Sequence, residues 1–202
     1  MINNKFPKDF FWGTATSSYQ IEGAADLDGK GPSVWDTFSH KKDTIKNGDT
    51  GDVACDHYHL WPKDLELLEN LGVNSYRFSI SWPRILPSGR ESKPNQAGLD
   101  FYSRLIDNLL EKNITPFITL NHWDIPQGLE DEGGWTKRMM VDAFIEYSYH
   151  TSKHLGDRVK HWITHNEPWC VSHIGYVAGH KPPGLKNNWP KSLAAAHHLL
   201  LS

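Results

Sequence analysis

A chain of 202 residues with 21 Lys+Arg and 24 Asp+Glu carries a formal charge of -3, too close to neutral for electrostatic capture of nucleic acid. Two cysteines, Cys55 and Cys170, imply no disulfide framework and suit a reducing compartment. No apolar run reaches the roughly 20 residues that span a bilayer, and Met1-Ile2-Asn3-Asn4-Lys5 opens no apolar leader, so a cytoplasmic protein with no membrane partner is expected.

The length suits one sizeable core, and one domain over residues 1–202 is expected. Phe10 to Thr16 is a short apolar and β-branched run, a first strand. From about Gly23 to Asp52 the chain is rich in Gly, Asp and Lys, includes Asn47-Gly48, and reads as loop. Tyr58, Trp61, Leu65 and Leu68 keep helical spacing between Asp56, a suitable N-cap, and Gly72, a suitable residue past the helix end. Val73 to Trp82 alternates, with Tyr76, Phe78 and Ile80 on one face and Arg77, Ser79 and Ser81 on the other, a strand that Pro83 ends. Leu99, Tyr102, Leu105, Ile106, Leu109 and Leu110 make a second amphipathic helix closed near Asn113. Ile114 to Asn121 is nearly all apolar, as in a strand covered on both faces. A helix from Met139 to Leu155 stops at Gly156, a strand follows over Val159 to Asn166, and another helix begins near Lys191. Four βα units in succession predict a parallel sheet with right-handed crossovers. A doubly wound sheet shares this order, but no Gly-rich nucleotide loop follows any strand.

Every strand runs into a polar and aromatic cluster. These are Ser17-Ser18-Tyr19-Gln20-Ile21-Glu22, then Arg77 with Ser81-Trp82, then Asn121-His122-Trp123-Asp124, then His165-Asn166-Glu167-Pro168-Trp169. In a (β/α) barrel the catalytic groups sit at the C-terminal strand ends, so four clusters would meet in one cleft. Each residue has a plainer reading. Gln20 serves equally as a turn residue and His122 as a core histidine. Arg77, on the polar side of a buried strand, needs a carboxylate or ligand partner, structural or catalytic. Glu167, between an amide and Pro-Trp at a strand end, has little structural reason to be there. The nine Trp, seven Tyr and eight Phe could stack on sugar rings or simply fill the core. No metal or other cofactor is expected, because His57/His59 and His197/His198 share no face at i, i+4 and no HExxH pattern occurs.

Asp9-Phe10-Phe11-Trp12-Gly13-Thr14-Ala15-Thr16-Ser17-Ser18-Tyr19-Gln20-Ile21-Glu22-Gly23 resembles the N-terminal signature of glycoside hydrolase family 1, the β-glucosidases and their relatives. Tyr76 to Arg84, His122 to Gln127 and Asn166-Glu167-Pro168-Trp169 resemble its next three motifs in order. The resemblance implies a (β/α)8 TIM-barrel type, of which this chain holds about the first four βα units. It also implies a retaining β-glycosidase acting on terminal β-linked sugars. Within that likeness Glu167 is the acid/base, Arg77 keeps the nucleophile ionised, Gln20, His122 and Asn166 bind sugar hydroxyls, Trp123 lines the sugar pocket and Trp169 forms an aglycone platform. Asn121, where the family more often has an aromatic residue, and His165, where it more often has an apolar one, depart from the pattern. The family's nucleophile, a Glu in a Thr-Glu-Asn-Gly type motif, has no counterpart here; Asp124 and Glu22 are the nearest local carboxylates. Half a barrel would leave two parallel edge strands and an apolar face open. The expected partners are thus a β-glycoside and a C-terminal half-barrel or a second copy. A subunit of a split enzyme, a non-catalytic sugar-binding remnant and a 6-phospho-β-glycosidase are the other readings, with hydrolysis expected only when the missing half is supplied.

Overall fold

The computed structural model describes residues 6–202, so the start of the chain lies outside the described residues. Four strands, β1 (Gly13–Ala15), β2 (Ser75–Ser79), β3 (Thr115–Asn121) and β4 (His161–His165), form one parallel sheet in the order β1-β2-β3-β4. The helices are α1 (Ser18–Ile21), α2 (Val34–Ser39), α3 (His57–Leu71), α4 (Trp82–Ile85), α5 (Gln96–Glu111), α6 (Gln127–Asp131), α7 (Met139–Leu155) and α8 (Trp189–Leu201). The crossovers run through α3, α5 and α7, and α8 follows β4, as the alternating pattern predicts.

The core lies where the outward sides of β2 and β3 meet these helices. Tyr76, Phe78 and Ile118 pack with Leu65, Tyr102, Leu105 and Ile106, and Phe78 stacks on Tyr102. Tyr147 of α7 reaches into the strand ends and donates to both Ile80 O and Leu120 O. Cover is uneven across the sheet. Four consecutive residues of β3, Ile118 to Asn121, are buried, whereas none of the five in β4 is.

Three expectations need correction. The segment from about Gly23 to Asp52 is not all loop, because α2 forms within it on a reciprocal cap: Asp36 N–H donates to Ser33 Oγ and Ser33 N–H to the Asp36 carboxylate. Pro83 does not merely end a strand; it sits in the first turn of α4, where the N–H it lacks would have had no partner. Asp56 occupies the N-cap position of α3 but caps nothing. Its backbone is left-handed, φ 53°, and its carboxylate bonds His59 Nδ1 at 2.6 Å.

A buried ion pair ties the strand ends together. Arg84 of α4 meets Glu22, just after α1, at 3.1 Å, and Tyr102 of α5 donates to the same carboxylate at 2.5 Å. The guanidinium also lies 4.2 Å above the Tyr58 ring. Burial of two charges is tolerated here because each has hydrogen-bonded partners.

Candidate active site

At the C-terminal ends of the strands an open cavity of about 390 Å³ is lined by Tyr19, Gln20, Trp35, His122, Trp123 and Lys181, among others. Gln20 comes from α1, His122 and Trp123 from the segment after β3, and Lys181 from the loop before α8. The parallel register sets Arg77 of β2 beside Phe117 of β3, and Asn121 of β3 beside His165 of β4. That alignment brings the polar ends of three strands within reach of one another.

Arg77 organises the floor. Its Nε donates to Thr119 Oγ1 at 2.9 Å and its Nη2 to Asn166 Oδ1 at 2.6 Å. Among the described residues its partners are thus a hydroxyl and an amide, with no carboxylate among them. The second bond fixes which way the Asn166 amide faces, since only its oxygen can accept from a guanidinium. Asn166 Nδ2 then points to His122 Nε2, 3.2 Å away. That contact makes Nε2 an acceptor and puts the imidazole proton on the buried Nδ1, which has no partner among the described residues. Burial, reinforced by the charge of Arg77, pushes the His122 pKa down to about 4, while the Glu167 carboxylate pulls the other way. The ring is therefore neutral near pH 7.

Glu167 follows β4 with a left-handed backbone, φ 44°, and Trp123 follows β3 with φ 78°. Such conformations are uncommon outside glycine and persist where surrounding structure enforces them, often at functional sites. The Trp123 indole N–H donates to Asn166 O at 2.7 Å, and the Lys181 ammonium stands 3.5 Å from the centre of the Trp123 ring system. Glu167 is exposed, and its carboxylate accepts from the buried Cys170 thiol at 3.3 Å. Burial and the neighbouring carboxylate push the thiol pKa up, so it remains a donor. Trp169 is 61% exposed and stacks on His173, with ring centroids 4.0 Å apart.

Asp124 and Glu22, the other carboxylates at these strand ends, have different work. Glu22 is held by Arg84 and Tyr102. Asp124 is 1% exposed and accepts from Ser18 Oγ at 2.6 Å. Its burial, with the negative charge of Glu22 adding to it, pushes its pKa up to about 7. Neither lines the cavity, and Arg77, Asn166, Glu167 and Trp169 stand beside it rather than in its lining.

Sequence reasoning missed Lys181, Trp35 and Cys170. Lys181 sits in a Gly- and Pro-rich loop without periodicity, so no pattern marks it. Trp35, which stacks on Tyr19 at 5.5 Å, lies in the stretch read as loop, where the Ser33-x-x-Asp36 capping signature was the available signal. Cys170 follows the Asn166–Trp169 motif by one residue. Among the described residues no cluster of His, Cys, Asp or Glu could hold a metal ion, and no helix is long and apolar enough to cross a membrane.

The family profile described as glycosyl hydrolase family 1 matches residues 2–202. The 1,4-beta-D-glucan glucohydrolase of Thermotoga neapolitana is 57% identical over 196 residues, 97% of this chain and 46% of that protein. Lactase/phlorizin hydrolase of Homo sapiens is 51% identical over 183 residues, 90% of this chain and 10% of its own length. The solved beta-glucosidase from Thermotoga maritima in complex with deoxynojirimycin superposes with a TM-score of 0.95 at 56% identity, covering 98% of this chain and 44% of that one. Its strands and helices match those of TIM-barrel β-glucosidases, and this chain spans a little under half the length of the Thermotoga relatives.

Proposed function

Because the chain belongs to glycosyl hydrolase family 1, we propose that it is the N-terminal, acid/base half of a retaining β-glycosidase barrel that hydrolyses terminal β-linked sugars, β-glucosides first among them. The observation that carries this reading is the relay from Arg77 through Asn166 to His122, set beside Glu167 at the strand ends and next to an open cavity. It supplies oriented donors where a sugar ring would lie and an exposed carboxyl where a glycosidic oxygen would leave.

In this reading Glu167 protonates the departing oxygen and then, as carboxylate, takes a proton from the attacking water. His122 and the Gln20 amide bond hydroxyls of the sugar, and Asn166 is held by Arg77 to meet the 2-hydroxyl. Trp123 walls the sugar pocket, and Trp169 offers a flat face to the aglycone. Arg77 lies against the nucleophile, a carboxylate that retention requires about 5–5.5 Å from the acid/base and that the complementary half of the barrel supplies. The names of the relatives, 1,4-beta-D-glucan glucohydrolase and beta-glucosidase, support a β-glucoside as substrate.

The test is release of nitrophenol from an aryl β-glucoside by the purified chain, alone and mixed with the C-terminal half of a family member. The chain alone should be inert, the mixture active, and Glu167→Gln in the mixture should lower kcat by about 10²- to 10⁴-fold. An active mixture that tolerates Glu167→Gln would remove Glu167 from the mechanism.

A further inference from the structure

Asn121 and His165 face each other across β3 and β4. Asn121 is buried, and its Oδ1 accepts the backbone N–H of Trp123 at 3.1 Å. With the oxygen committed, the amide nitrogen is the group that meets His165 Nδ1, 3.0 Å away. Nδ1 is then an acceptor, the imidazole proton sits on Nε2, and Nε2 donates to Ser202 Oγ at 2.9 Å. The ring cannot easily turn out of this arrangement. Phe144 of α7 stacks on it with centroids 4.5 Å apart, and Trp135 meets it edge-on at 5.4 Å.

At the other end of this chain of bonds stands Trp123, a bulky residue in a left-handed conformation on the cavity wall. Its indole reaches Asn166, whose amide orients His122. We propose that Asn121 and His165 form a positioning pair that holds the left-handed turn at Trp123, and through it one wall of the sugar cavity, so that the two residues act as a single device. The inference rests on the sugar-pocket reading of Trp123 for its functional meaning, but not for its geometry.

The test uses the full chain, labelled with ¹⁵N. In the unaltered protein the His165 ring should show the Nε2–H tautomer; an Nδ1–H tautomer overturns the proposal without recourse to any variant. In His165→Leu and in Asn121→Ala, the backbone and indole N–H signals of Trp123, assigned through Trp123→Phe, should shift and broaden. The double variant should add nothing beyond Asn121→Ala. Folded variants whose Trp123 signals stay in place overturn the proposal. Deoxynojirimycin titrated by calorimetry should bind about tenfold more weakly to both single variants, the size of one lost hydrogen bond. Displaced Trp123 signals with unchanged affinity would uphold the positioning pair and take Trp123 out of the sugar pocket, so the two readings fail separately.

Discussion

Asp124→Asn isolates the effect of one buried carboxyl on stability. Asp124 is 1% exposed, accepts one hydroxyl bond and has a second oxygen with no partner among the described residues, in the field of Glu22. Its pKa rises from 3.8 to about 7 on folding. The folded chain therefore binds this proton more tightly than the unfolded chain, and between those two values stability falls as pH rises. At about 1.36 kcal/mol per pH unit, the full swing is about 4 kcal/mol. Asparagine copies the neutral carboxyl in shape and cannot ionise. Chemical unfolding of both proteins from pH 4 to 8 should therefore show near-equal stability at the acid end, with the Asn variant ahead by up to about 4 kcal/mol at pH 8. A gap that stays constant with pH, or one that closes as pH rises, would refute the assignment of a neutral Asp124.

Arg77→Met removes the positive charge that helps hold His122 at about 4; its pKa should climb toward the ordinary 6.5, read from ring signals in an NMR titration. Arg84→Met leaves the Glu22 carboxylate buried without its counter-ion, and denaturant unfolding should show a loss of about 3–5 kcal/mol. Leu105→Ala opens a cavity among α5, α3 and β2 and should cost about 2–5 kcal/mol by the same measurement.

The long elements were legible because each satisfies its own local rule. Met139–Leu155 and Gln96–Glu111 show apolar stripes at helical spacing, and β3 sets Pro116, Ile118 and Leu120 on one face. The ends were less so. Phe10 to Thr16 shrinks to Gly13–Ala15, since Trp12 O is taken by the N–H groups of Asn74 and Ser75 in a turn-like approach rather than a ladder. The helical segment Cys170–Ala178, whose wide turns include a bond from Gly179 N–H to Ile174 O, has no 3.6-residue signature to betray it. In the site, residue types at the strand ends were visible, but their partners were not. Arg77 finds Asn166 across 89 positions of sequence only because β2, β3 and β4 align in one register.

The pair Glu22–Arg84, joining positions 62 apart, also limits how the cleft can move. Detaching the segment after β1 would strand Arg84 in the core, and detaching α4 would strand Glu22, so neither can open by itself at low cost. Partial opening of the kind that lets solvent reach loop amides is thus closed to this floor. Its amides should exchange with solvent together with those of the central strands, in one event, and warming should leave the cleft rigid until the whole half-barrel comes apart.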